Sequence, residues 1–129
     1  MLLFELEDLI FKNDTVIVIE IDSMMFNVVY EAGNIYWGLV PKTGTMNKIN
    51  ATRDKNGRSH IMRRLIPMLK EAIGLLLERN DVRNASIIGR TKKSQELYRS
   101  WINDFPGYTG SITGWRVWGD GINLTKKQS

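Results

Sequence analysis

The densest run of chemistry-bearing residues is Asp54-Lys55-Asn56-Gly57-Arg58-Ser59, with Arg53 before it and Arg63 and Arg64 just beyond. It precedes a stretch with a helical apolar rhythm. The start of a helix exposes free backbone N–H groups and a partial positive charge, so anions settle there. Gly57 lets a phosphate approach the chain closely, and Arg53, Asn56, Gly57, Arg58 and Ser59 form the candidate anion-binding set. His60, the one histidine, stands beside it, better placed for anion contact or plain exposure than for proton abstraction. One glycine does not make a phosphate loop, however, and the same run also reads as a polar loop that opens a helix.

A second constellation lies near the C-terminus. Trp101, Phe105, Tyr108, Trp115 and Trp118 fall close together in the chain, near Arg99 and Arg116. Bases stack on such rings while cations meet phosphates, which would suit a single-stranded nucleic acid. Alternation along Ser111–Trp118 puts Trp115 with Val117 and Trp118 with Arg116, so one tryptophan belongs to a core. Packing is the preferred reading of the whole group. Metal chemistry finds little: no cysteine and a single histidine leave carboxylates, and Glu5, Glu7 and Asp8 have no converging partner. Walker, Rossmann and Gly-x-Ser-x-Gly signatures are absent.

The charge is unevenly spread. Residues 1–52 carry three Lys/Arg against seven Asp/Glu, whereas residues 53–99 carry twelve against five. A basic centre beside an acidic start implies an anion-binding surface, a self-complementary interface between copies, or a solvated cationic helix face.

In the order of its elements and in two motifs, the chain resembles the GNAT acyltransferase superfamily across residues 25–118. There, a strand leads into Gln/Arg-x-x-Gly-x-Gly/Ala, whose amides hold the pyrophosphate of coenzyme A; here Asp54-Lys55-Asn56-Gly57-Arg58-Ser59 occupies that motif. A long helix, a strand and a second helix with Asn-x-x-Ala-x-x-hydrophobic-Tyr follow, and Thr91 to Tyr98 occupies that place, matching best at Leu97-Tyr98. Asp54, Ser59 and Thr91 depart from the pattern. The resemblance implies a mixed, mostly antiparallel sheet flanked by helices on both faces. It also implies acetyl-CoA or another acyl-CoA as cofactor, and Tyr98 as the acid that protonates the leaving thiolate. Acyl transfer to an amine also needs a base. The segment Met46–Thr52 offers no Glu, Asp or His, which leaves Glu31 and Asp22 as substitutes if they face the cleft. A similar pattern occurs in small internal virion proteins of short-tailed phages.

These residues need elements to position them. Leu2, Leu3, Leu6, Leu9 and Ile10 have helical spacing, and the acids among them argue against a secretory signal. Thr15–Ile21, Met25–Tyr30 and Ile35–Val40 read as strands, the last two joined by a turn at Ala32-Gly33-Asn34. Met46–Thr52 is a weaker strand candidate. Ile61, Leu65, Met68, Leu69, Ala72, Ile73 and Leu76 mark a helix to Arg79, with a kink expected at Pro67. Ala85–Gly89 is a short strand, and Thr91–Trp101 a helix capped by Thr91. Asn103–Gly110 reads as a loop, and Ser111–Trp118 and Gly121–Leu124 as strands. Residues 1–124 then form a single α/β domain and residues 125–129 a loose tail. No run approaches the roughly 18 apolar residues of a membrane span.

Three functions fit this sequence. The first is an acyl-CoA-dependent N-acyltransferase. The second is a non-catalytic phage structural or host-interaction protein on the same scaffold, binding another protein or its own copies. The third is a basic nucleic-acid binder using Arg63, Arg64, Arg90, Lys92 and Lys93. A cytoplasmic location, in the host or with passage into a virion, is the expectation for each.

Overall fold

A computed structural model describes residues 9–21, 24–40, 60–89, 91–113 and 120–128. They form seven strands and two helices: β1 Leu9–Asn13, β2 Val16–Ile21, β3 Met24–Glu31, β4 Asn34–Leu39, α1 His60–Arg79, β5 Asn84–Gly89, α2 Lys92–Ser100, β6 Tyr108–Ile112 and β7 Asp120–Lys126. All seven strands join one sheet in the order β1-β2-β3-β4-β5-β7-β6. Every neighbouring pair is antiparallel except β4 and β5, which run parallel.

Strict alternation builds the core. Ile17, Ile19 and Ile21 of β2 are buried while Glu20 between them is exposed. Register places Val28 beside Ile17 and Phe26 beside Ile19, then Trp37 beside Val28, so one face of the sheet collects the apolar side chains. Ile35, Ala85, Ile87, Ile122 and Leu124 continue it. α1 lays Leu65, Met68, Leu69, Ala72, Ile73, Leu76 and Leu77 on this face, and α2 adds Tyr98, followed by Trp101. Each of the larger aliphatic and Phe side chains contributes about 1.5–3 kcal/mol by leaving water. Both described helices therefore cover one face. The expectation of helices on both faces is not met among the described residues, because the other face carries only half-buried or exposed side chains such as Val16, Val18, Val29 and Tyr36.

Turn chemistry accounts for the connections. Ala32 and Gly33 both take positive φ, 51° and 80°, which joins β3 to β4 in a tight hairpin. At the end of α1, Val82 N–H donates to Leu77 C=O and Asp81 N–H to Glu78 C=O, with Asp81 at φ 48°. This is a left-handed helix stop with Asp in the place glycine usually takes, sealed by buried Val82 against buried Leu77. The helix continues through Pro67, whose ring lies on the exposed side, where water can serve the carbonyl of Arg63. Its far end is pinned to the β1–β2 turn. The Arg79 guanidinium lies 4.4 Å over the Phe11 ring and 3.6 Å from the Asp14 carboxylate, and Asn80 donates to the Asp14 carbonyl.

Three expectations change. Leu9 to Phe11 are strand, not helix: Leu9 pairs with Ile19 and Phe11 with Ile17, burying alternate residues while Ile10 stays 56 % exposed. Apolar residues in so short a segment satisfy either period, and sheet pairing decides between them. Residues 1–8 lie outside the described part, as does Met46–Thr52. Second, β6 begins at Tyr108, inside the expected loop, because it pairs with the end of β7. Third, the expected tail from 125 is strand as far as Lys126, and Lys127 N–H donates to Gly107 C=O. An ion pair between Lys126 and Asp81 closes that end.

Ala32 holds a left-handed backbone at a cost that glycine does not carry, so Ala32→Gly should raise stability by about 1 kcal/mol in urea unfolding. Gly121 packs its α-carbon against β5, where an added Cβ would lie 1.8 Å from the Ile87 carbonyl oxygen. Gly121→Ala should cost about 3 kcal/mol in the same measurement. Lys126 lowers the Asp81 pKa by hydrogen bond and charge. A lowered carboxylate pKa stabilises the fold above its unfolded value and stops doing so as pH falls through the folded one. Any advantage of the wild type over Asp81→Asn should thus be present at neutral pH and vanish in acid below the ordinary carboxylate range.

Candidate functional site

The parallel pair β4–β5 is held by a very short ladder. Asn34 faces Ser86 and Ile35 faces Ile87, and registration ends there although β4 continues to Leu39 and β5 to Gly89. Val40 N–H donates to Met25 C=O at 2.8 Å, so the even-numbered residues of β4 address β3 through their main chain. Ser86 N–H donates to Gly33 C=O at 2.9 Å, so the odd-numbered ones address β5. Main-chain N–H and C=O groups of Trp37 and Leu39 therefore point toward a strand that offers them no ladder partner. The two strands leave a wedge, closed at Ile35–Ile87 and open toward their C-terminal ends.

Both helices begin at the open end. α1 has its C-terminus pinned at the β1–β2 turn, which lies by the end of β3, where β4 begins, since Tyr30 N–H donates to Thr15 C=O. Its N-terminus therefore lies where β4 ends. Only two residues separate the end of β5 from the start of α2. Two helix N-termini, exposed Arg63, and exposed Lys92 and Lys93 give this end a positive field. The first turn of α2 is drawn tightly onto β5. Thr91 and Ser94 form a reciprocal cap, and Gln95 Nε2 donates to Gly89 C=O at 3.1 Å. Gly89 is required for the close approach, because an added Cβ would lie 2.4 Å from Ser94 Oγ and 2.8 Å from Gln95 N.

Tyr98 meets β4 from α2. Trp37 Nε1 donates to its hydroxyl at 2.8 Å. The Tyr98 ring packs on Trp101 at 5.2 Å between centroids, and Trp37 lies 6.3 Å from Phe26. Tyr98 is only 6 % exposed. Burial raises its pKa above the ordinary tyrosine value, and the bond from Trp37 acts in the opposite sense. The phenol is therefore neutral at physiological pH. An indole N–H can only donate, so the Tyr98 oxygen accepts and the phenolic proton remains for another acceptor.

Of the residues singled out in the sequence, Tyr98 meets β4 through the Trp37 indole, Arg63, Lys92 and Lys93 stand exposed where the two helices begin, and Arg64 is exposed in the first turns of α1. Arg53, Asn56, Gly57, Arg58 and Ser59 lie outside the described residues, as do Asp22, Arg90, Trp115 and Trp118. His60 opens α1, and its side chain is not described. Glu31 cannot serve as base in the wedge: it ends β3 at the opposite end of β4 and accepts a hydrogen bond from the Tyr36 hydroxyl. Trp101 and Phe105 are buried in the core, so neither can stack a base from solution, in keeping with the packing reading. Among the described residues no three His, Asp or Glu come together as a metal site, and no helix is long and apolar enough to cross a membrane. Sequence reasoning passed over Trp37, Gly89 and Gln95. A signal existed for Trp37, since a half-buried indole must find a partner for its N–H.

No protein-family model, no curated protein and no solved structure matches the chain.

Tyr98→Phe keeps the ring and orphans the Trp37 indole, which should cost about 1–2 kcal/mol in urea unfolding with the slope unchanged. Gly89→Ala forces the first turn of α2 off β5 and should cost about 1–3 kcal/mol.

Proposed function

We propose that the protein binds an acyl-coenzyme A in the β4–β5 wedge and transfers the acyl group to an amine. The observation that carries this reading is the early end of the β4–β5 ladder. An extended pantetheine arm bears amides that can pair with the main chain of Trp37 and Leu39, which β5 leaves without a ladder partner, as an added strand would. Its phosphates would then lie at the wedge mouth, where two helices start and Lys92, Lys93 and Arg63 stand. Arg53, Asn56, Gly57, Arg58 and Ser59 are the proposed pyrophosphate contacts, on the strength of the resemblance to the GNAT motif.

In the reaction the amine nitrogen attacks the thioester carbon, the C–S bond breaks, and the departing thiolate takes the proton of Tyr98. Tyr98 is suited to this because it is neutral and its proton is not used by Trp37. With Glu31 at the far end of β4, the amine reacts in its neutral form and gives its surplus proton to solvent, from which Tyr98 is reprotonated.

Calorimetry with acetyl-CoA tests the reading. Saturable one-to-one binding is expected, weakened about tenfold in Lys92→Glu/Lys93→Glu by lost charge attraction and abolished in Gly57→Glu. Absence of heat at millimolar acetyl-CoA would remove it. The scaffold role in a virion or on a host protein would then stand, or a nucleic-acid role if binding to single strands falls steeply with salt.

A further inference from the structure

We propose that Trp37 is a positioning residue for Tyr98, fixing which way the phenolic proton points. This rests on the acyl-transfer reading for its purpose, but the geometry is independent of it. Trp37 belongs to β4, and its odd-numbered place puts its main chain at the wedge while its side chain lies on the helical face beside Val28. Its ring is held against Phe26, and its N–H reaches the Tyr98 hydroxyl at 2.8 Å, across sixty-one positions of sequence. Tyr98 cannot turn away, because its ring is packed on Trp101, itself 2 % exposed and packed edge-on against Phe105.

A phenol oxygen places its proton near the ring plane, on one side or the other. A donor seated on one side forces the proton to the other. The indole, a donor with no acceptor capacity, removes the ambiguity that a hydroxyl or amide partner would leave. It also favours the phenolate over the phenol, because a hydrogen bond to a charged oxygen is the stronger one. Trp37 thus makes Tyr98 both directed and a better acid, acting through the Tyr98 oxygen and not on the substrate. Burial and this indole act on the Tyr98 hydroxyl in opposite senses, burial raising its pKa and the indole lowering it.

The test uses the full chain with Trp37→Phe, which keeps a ring and loses the donor, and Trp37→His, which restores a ring N–H. Ionisation of Tyr98 is followed by NMR of isotope-labelled tyrosine rings against pH, its signal assigned by loss in Tyr98→Phe. Trp37→Phe should raise the Tyr98 midpoint by about one pH unit, and Trp37→His should recover part of that shift. In Tyr98→Phe the Trp37 indole hydrogen should exchange with solvent on the order of tenfold faster. With acetyl-CoA and an amine acceptor, Trp37→Phe should lower kcat about tenfold. An unchanged Tyr98 midpoint in Trp37→Phe, or unchanged indole exchange in Tyr98→Phe, would overturn the assignment. Should Trp37→Phe not fold, the indole exchange in Tyr98→Phe decides alone. A wild type that binds no acetyl-CoA overturns the acyl-transfer purpose, while the midpoint and exchange measurements still decide the positioning role.

Discussion

Main-chain hydrogen bonding leaves a sheet little freedom, since each strand must satisfy donors and acceptors on both its edges. In this protein the constraint is met along β4 on the side of β3 and relaxed on the side of β5 beyond Ile35. That local failure organises the site. It leaves the backbone of Trp37 and Leu39 facing a wedge, and the parallel direction of the two strands puts both following helices at its mouth. A fully zipped β4–β5 pair would have left neither a slot nor a free edge.

Packing sets the wedge's far wall. α2 sits close because Gly89 has no side chain to hold it off, and Gln95 ties it to the end of β5. Tyr98 is thereby carried over the sheet to the indole of Trp37. The line Phe26, Trp37, Tyr98, Trp101 and Phe105 links β3, β4, α2 and the turn after α2 into one aromatic row. Such a row is rigid because each of its three inner rings has a partner on both sides, and a hydrogen bond set in it keeps its direction.

Much of this was open to reading along the chain. The run Val16–Ile21 reads as a strand, because β-branched residues at almost every place suit a pleat and crowd a helix. The helix 60–79 declared itself through an apolar stripe long enough to exclude a strand. Thr91 announced the start of α2 by its side-chain oxygen. What misled was brevity. Leu9 to Phe11 offers three apolar residues, too few to separate one period from the other, and pairing with β2 settled the matter. Lys126 looked like tail for a similar cause, since polar residues at the end of a last strand are told from a terminus only by the partner strand.

Composition and spacing by themselves determined a mixed α/β class, the strand–strand–helix–strand–helix order of the middle and the cationic central third, while the candidacy of Tyr98 came only from a family resemblance. Tertiary structure alone decided that both described helices share one face, that Glu31 lies at the wrong end of β4, and that Trp37 is Tyr98's partner. The physical reason is range. Periodicity, capping and turn propensity act within a few residues, so a chain displays them directly. A ladder that stops after two pairs, or an indole that meets a phenol sixty-one positions away, exists only where packing brings distant segments together.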